Sequence, residues 1–470
     1  MTNAMLRFMA SKRTLGAIVG VLLCLVIRSL PPVGGLDSHG QAALAVCVLA
    51  VTFWATEVLN VAITAIFMIG LLIAAGVPGQ VALSGYASSA FWTLVCVLFV
   101  GRAMDKTGLA RRISYQILLV SRPTYRGVLF AFMVIGFVLA LGIPSMTVRI
   151  AIMVPISWAL VQALGLPQPG RGAALIVISA FEMSVLPGCA LLTGSLWGPY
   201  IAGMFKTAGL PITWFGYAGT MGVPTLVWCF LLLICNMAAL RPEVAIIFDK
   251  NVIRAELHKL GPMSTQEVLT GIVVVLSIAL WVSQPWHHLP TEVVGMFALV
   301  ALFATRVISS EEIGTGIPWS LVLFIGGMLS LSTIITTYKI NTWLGSFVLP
   351  AMQAFADNSF VFVGAVALGV MVMRLLDPTG FITLAAFFLS LVAFASGRHI
   401  PPLVLIGTIL LPLHVFWFNY QNFWIVMTEG ISKGMAYTEA QRFRLATVFA
   451  CVTFIALWLG VVYWHLIGAL

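Results

Sequence analysis

Apolar stretches of about 20 residues recur along the whole of this chain, parted only by short polar connections. In lipid every backbone N–H and C=O has to find its partner within the protein, which leaves helices and closed barrels as the spanning structures. The runs here are continuous rather than alternating, so the expected fold is an all-α integral membrane protein. Hydrophobic residues make up 61% of the chain and charged residues 8%, which leaves no segment with the composition of a soluble domain.

Hydropathy places about 11 crossing helices and two additional helical hairpins. The expected order is 14–30, 40–57, 60–78, 89–105, a hairpin at 125–163, then 172–203 and 212–239. The second half runs 266–284, 291–306, 317–338, a hairpin at 359–395, then 402–428 and 443–468. The stretch after Lys12-Arg13 lacks a small-residue cleavage site and reads as an uncleaved first span. Lys12, Arg13, the set from Lys106 to Arg126, the stretch Arg241 to Lys259, Arg306, and Lys433 to Arg444 share one side if each hairpin enters and leaves by the same face. That side is expected to be the cytoplasm, with the protein in the inner (plasma) membrane. The net charge of +9 thus reports topology and not a nucleic-acid partner, since the basic residues form no long run. All seven cysteines fall in apolar stretches without C-x-x-C spacing, so buried free thiols are expected in place of disulfides or zinc.

The halves repeat one another. Thr56-Glu57-Val58 returns as Thr291-Glu292-Val293 (291 − 56 = 235), and Trp92-Thr93-Leu94-Val95 as Trp319-Ser320-Leu321-Val322 (319 − 92 = 227). Thr147 answers Thr379 (379 − 147 = 232), and Leu186-Pro187 answers Leu411-Pro412 (411 − 186 = 225). An odd number of crossings between the halves would invert one relative to the other, as in many secondary transporters. The expected organisation is first-repeat scaffold helices at 1–122, a first transport unit at 123–240, a cytoplasmic linker at 241–265, second scaffold helices at 266–356 and a second transport unit at 357–470.

Polar breaks interrupt the apolar stretches at matching places: Pro144-Ser145-Met146-Thr147 and Asp377-Pro378-Thr379-Gly380. Helix breakers and hydroxyls at bilayer depth are tolerated where they line a cavity or are buried in protein, so these mark a candidate binding site. The second helix of each hairpin starts with free N–H groups that favour an anion. A Ser or Thr that bonds back to its own helix is the plain alternative. A second kind of break lies at Leu186-Pro187-Gly188 to Thr193-Gly194-Ser195, answered by Pro412 and His414 with Asn419 further on. Candidate substrate contacts are therefore Ser145, Met146, Thr147, Arg149, Gly188, Thr193, Gly194, Ser195, Asp377, Pro378, Thr379, Gly380, Pro412 and His414. Candidate ion-coupling positions are Ser145, Gly188, Glu182, Asp377, Thr379 and Asn419, with sodium or a proton as the ion and no cofactor. His414 is a candidate proton carrier by its ordinary pKa, against a packing role. Trp197 and Trp417 would suit a substrate with an apolar part.

Along nearly its whole length the chain resembles the divalent anion/sodium symporter family. The resemblance rests on Trp54-x-x-Glu57, Asp105-Lys106-Thr107-Gly108-Leu109-Ala110, Gly326-Gly327 and the break segments in order. It implies an 11-span protomer, a homodimer joined by scaffold helices, elevator-like movement, and tip hydroxyls and asparagines that hold substrate carboxylates and frame sodium sites. By position Ser145, Thr147, Thr379 and the Gly188 to Ser195 stretch inherit those roles. The family's tips carry Ser-Asn-Thr, whereas these read Ser145-Met146-Thr147 and Asp377-Pro378-Thr379, without either asparagine. Arg149 would set a fixed guanidinium where the family places sodium, with Asp377 or Glu182 neutralising it when substrate is absent, and transport would be sodium-independent. The alternative is an Arg149–Glu182 pair that locks the hairpin to its neighbour.

The expected function is a secondary carrier of a small anion: a dicarboxylate, tricarboxylate, sulfate or related organic anion. A sodium/proton-type antiporter of the same superfamily and an integral-membrane enzyme acting on a lipid-like substrate are the alternatives. The enzyme reading lacks its chemistry, because the chain has no H-E-x-x-H, no D-x-x-x-D at a membrane edge and no phosphate loop.

Overall fold

A computed structural model of the chain describes residues 3–31, 36–246, 250–353, 355, 358–375, 377, 380–398 and 400–470. Among the described residues the secondary structure is helical and no strand occurs. The chain opens with α1 (Asn3–Ser29), α2 (Ser38–Thr56), α3 (Val61–Ala74), the single turn α4 (Gly79–Ala82), α5 (Ser89–Thr107) and α6 (Leu109–Val120). The first hairpin follows as α7 (Tyr125–Gly142) and α8 (Met146–Ala163), then α9 (Arg171–Val185), a 3-10 turn at Leu186–Ala190, α10 (Trp197–Thr207) and α11 (Trp214–Leu240). The connection holds α12 (Asn251–Lys259). The second half contains α13 (Thr265–Val282), α14 (Gln284–His287), α15 (Thr291–Ala304), α16 (Glu312–Thr315), α17 (Trp319–Thr337) and α18 (Ile340–Gln353). Its hairpin is α19 (Ser359–Met373) and α20 (Phe381–Gly397), followed by α21 (Pro402–Leu410), 3-10 turns at Pro412–His414 and Asn419–Gln421, α22 (Phe423–Ile431) and α23 (Glu439–Leu466).

The same order therefore occurs twice: a helical hairpin, a helix broken by a 3-10 turn, and a long closing helix. Eight of the described helices are long and apolar enough to cross a membrane, both arms of the first hairpin among them. Leu22, Phe67, Phe230, Val275 and Leu276 point outward and are exposed, which suits a molecule whose surface meets acyl chains. α9 lies at the centre, with every residue from Gly172 to Val185 buried. The two closing helices hold each other, since Trp228 Nε1 donates to Thr453 Oγ1 at 3.0 Å and Trp464 Nε1 to the Thr220 carbonyl at 2.9 Å.

Three helices longer than a single turn depart from the sequence expectation. α6 and α12 are amphipathic and partly charged, so averaging over a span-length window hides them, and α12 turns part of the expected linker into a helix. α18 carries Pro350 and polar residues and was not expected as an element. The expected spans 172–203 and 402–428 are each broken in two. Of the cysteines, Cys47, Cys96, Cys189 and Cys229 are buried as expected, while Cys24 and Cys235 are half-buried and Cys451 is exposed.

The first turn of α9 is fixed from outside the bundle. Glu243 accepts hydrogen bonds from the Arg171 N–H at 2.8 Å, the Arg171 Nε at 3.0 Å and the Gly172 N–H at 3.1 Å. Desolvation pushes the carboxyl up, but these donors outweigh it and hold it down at about 2. A carboxylate held low contributes its stabilisation above its ordinary value of 4.5 and loses it as pH falls through about 2. Glu243→Gln is expected to speed amide hydrogen exchange in the first turn of α9 at neutral pH. The difference from wild type should shrink as pH falls from 4.5 to about 2.

Candidate functional site

Arg149, one turn into α8, is fully buried and no ion pair among the described residues includes it. Its guanidinium is satisfied by backbone alone. Nε donates to the Ser184 carbonyl at 2.6 Å, Nη1 to Ile143 at 3.0 Å and Gly194 at 2.6 Å, and Nη2 to Val185 at 3.4 Å. These carbonyls are available because three chain ends meet here: α7 stops at the hairpin turn, α9 stops where Pro187 lacks an N–H, and residues 191–196 run irregularly before α10. The negative ends of the backbone dipoles thus balance the charge that a carboxylate would otherwise meet. The packing is close: a Cβ on Gly188 would lie 2.4 Å from the Gly194 oxygen and 2.5 Å from Arg149 Nη2.

Arg374 does the equivalent work in the second half. It is buried, its Nε donates to the Leu413 carbonyl at 2.8 Å, and its terminal nitrogens bond to the carbonyls of Asp377 and Gln421. The second tip is thereby tied to the second broken helix, as the first tip is to the first. The units also interlock across the halves. Thr147 Oγ1 accepts from Trp424 Nε1 of α22 at 3.3 Å, Phe381 at the second tip packs 4.3 Å from the Trp197 ring, and Cys189 Sγ lies 3.8 Å from His414 Nε2.

The other expected site residues fall as follows. Ser145 caps α8, its Oγ accepting from the Val148 N–H at 3.3 Å, and Met146 is wholly buried behind it. Thr193 accepts from Trp214 Nε1 at 3.0 Å and lines a 300 Å³ cleft with Ser89, Lys206 and Glu292. Ser195 is buried and its hydroxyl has no hydrogen-bond partner among the described residues. Asp377 accepts from the Gly380 and Thr383 N–H groups and the Thr383 hydroxyl, at 3.0, 2.8 and 2.8 Å. Gly380 takes a φ of 82° against Trp197. Pro378 and Thr379 lie outside the described residues. Pro412 opens a buried turn, and His414 donates from Nδ1 to the Leu410 carbonyl at 3.0 Å between the Trp197 and Trp228 rings. Trp197 is therefore packing, whereas Trp417 lines a 750 Å³ open surface cleft with Asn419 and Arg442. Asn419 bridges Arg442 and Glu429, the latter at 3.0 Å.

Two expectations are corrected. The Arg149–Glu182 pair is absent: Arg149 bonds only to carbonyls, and Glu182 Oε2 instead accepts from Asn236 Nδ2 at 2.6 Å. Among the described residues neither Glu182 nor Asp377 forms an ion pair with Arg149: Glu182 faces α11, and Asp377 accepts from Gly380 and Thr383 of its own hairpin. Converging carbonyls at an unwound helix are the donor set a sodium ion takes. Here the set is filled by a guanidinium, so these four oxygens do not fit a sodium ion. Among the described residues no group of three His, Cys, Asp or Glu is placed to hold a metal. Asn236, Gln421, Asn422 and Trp424 were not singled out in the sequence. The only signal for them was a polar residue within an apolar stretch.

Residues 11–470 match the family described as the sodium:sulfate symporter transmembrane region. The chain is 21% identical to the chloroplastic dicarboxylate transporter 1 of Spinacia oleracea, over 96% of this chain and 81% of that protein. It is 24% identical to a sodium-dependent dicarboxylate transporter of Staphylococcus saprophyticus, over 70% and 69% of the two chains. The crystal structure of the Alcanivorax borkumensis YdaH transporter shares the fold with a TM-score of 0.56 at 12% identity, over 83% of this chain and 88% of that one.

Gly188→Ala is expected to lower thermal stability by about 1–3 kcal/mol, because the added methyl displaces either the Gly194 carbonyl or the guanidinium. Thermal unfolding of the purified protein in detergent measures it.

Proposed function

The chain belongs to the sodium:sulfate symporter family, and we propose that it is a secondary carrier of a small anion that works without sodium. Its family and its relatives are transporters and not enzymes. The carried anion is a dicarboxylate, tricarboxylate, sulfate or related organic anion, and movement is of the elevator type. The observation that carries this reading is the Arg149 guanidinium locked in the carbonyl set between the first tip and the first broken helix. A fixed charge there supplies at all times what a bound cation supplies only when present. Arg374 at the second break adds a second fixed charge. In a low-dielectric interior two such charges favour a dianion with no mobile sodium ion.

The twice-repeated order of hairpin, broken helix and closing helix supports an inverted repeat with re-entrant hairpins. Of the candidate residues, Thr147 is half-buried, and Asn419 with Trp417 and Arg442 lines the 750 Å³ open cleft by which the anion approaches. Ser145, Gly188, Thr193, Ser195 and the second tip complete the binding region as the carrier moves. The assembly is a homodimer in the inner (plasma) membrane with the N-terminus in the cytoplasm, following the placement of the basic connections.

The test is uptake of a labelled C4-dicarboxylate into liposomes loaded with unlabelled dicarboxylate. Wild type is expected to exchange equally in sodium and in choline, and strict dependence on sodium would sink the proposal. Arg149→Gln is expected to lose roughly 10-fold or more, as a buried charged donor set is removed. Uptake and ion dependence unchanged in Arg149→Gln would remove the role given to the guanidinium.

A further inference from the structure

The interface of α9 and α11 carries a row of polar groups that the two guanidinium groups leave unexplained. Glu182 is 1% exposed and Asn236 is fully buried. Asn236 Nδ2 donates to Glu182 Oε2 at 2.6 Å, yet Glu182 Oε1 and Asn236 Oδ1 are both buried acceptors with no donor among the described residues. An ionised carboxyl would leave two lone-pair oxygens unpaired in the driest part of the bundle. One proton on Oε1 satisfies both, because the acid O–H donates to Oδ1 while the amide N–H donates to Oε2.

Further unpartnered groups lead from this pair toward both ends of the bundle. Ser179 lies three residues before Glu182 on α9 and its buried hydroxyl has no partner. Gly172, on the same side of α9, is the residue against which the unpartnered Tyr125 hydroxyl packs, 2.3 Å from where a Cβ would stand. On α11 Thr225, again without a partner, and Cys229 share the face of Asn236. The elements packed against α9 bring few charges to the pair. α7 contributes Tyr125, α8 the carbonyl-bound Arg149, the 3-10 turn Cys189, α11 Tyr217 and Cys229, α22 Glu429, and α23 Arg442. None forms an ion pair with Glu182, so among the described residues no fixed cation stands by to hold the carboxyl ionised.

We propose that Glu182 and Asn236 form a proton-binding site at the α9–α11 interface, and that the proton is the carrier's mobile cation. In the arrangement seen here Glu182 Oε1 holds a proton taken from water. In the alternate conformation that proton returns to water on the other side. This rests on the carrier reading, in which the guanidinium groups are fixed and some other positive charge has to be free to move.

Two measurements test it separately. Infrared spectra of the purified protein in lipid at neutral pH are expected to show a protonated-carboxyl band that shifts in D2O, disappears in Glu182→Gln and moves to higher frequency in Asn236→Leu. Absence of the band, or its survival in Glu182→Gln, overturns the site whatever the protein transports. In liposomes, wild-type uptake is expected to rise several-fold under an inward proton gradient, and in Glu182→Gln the ratio with and without the gradient falls to unity. Wild-type exchange that ignores the gradient overturns proton coupling while leaving the carrier intact. No exchange under any condition overturns the carrier reading and the coupling together.

Discussion

A guanidinium wrapped in backbone carbonyls is the contact on which this architecture depends. Breaking helices inside a membrane protein strands carbonyl groups that water would otherwise satisfy, and each stranded group carries a cost in the apolar interior. Arg149 collects four of them from three separate chain ends, and Arg374 performs the same task around the second break. Arginine suits the position because its planar fork offers five donors in fixed directions and stays charged when dry. Lysine, with one compact ammonium, could not reach oxygens spread around three chain ends.

The same contact makes each hairpin and its broken helix one mechanical unit. The first tip cannot move away from residues 184–194 without exposing a buried charge, and the second cannot leave Leu413 and Gln421. The cross-contacts Thr147–Trp424, Phe381–Trp197 and Cys189–His414 then join the two units to each other. Under the proposed elevator mechanism such a body would move as a whole. Gly188 permits the arrangement by bringing backbone against guanidinium where any side chain would intrude.

Much of this was legible in the residues. The apolar runs required helices, the break at residues 144–147 falls between α7 and α8, Asp377 and Gly380 fall between α19 and α20, and Pro187 and Pro412 marked the broken helices. The family resemblance drawn from the motifs agrees with the match over residues 11–470. The amphipathic helices α6 and α12 escaped because hydropathy averages their two faces into a neutral value. The partner of Arg149 escaped for a different reason: a carboxylate was the natural candidate, and Glu182 was the carboxylate at hand. Backbone carbonyls belong to every residue and leave no trace in the sequence, so Ser184 and Gly194, 35 and 45 residues away, could not announce themselves. Asn236 was likewise invisible as the partner of Glu182, 54 residues before it.

The sequence by itself determined the environment and the breaks, because the cost of unpaired backbone in lipid is paid locally, residue by residue. It determined too that Arg149, Glu182, Arg374 and Asp377 would stand where a charge is expensive. Which oxygen meets which charge was decided by tertiary structure alone. Pairing depends on how chain ends approach one another in three dimensions, and that approach placed a carbonyl cage around Arg149 and an amide beside Glu182.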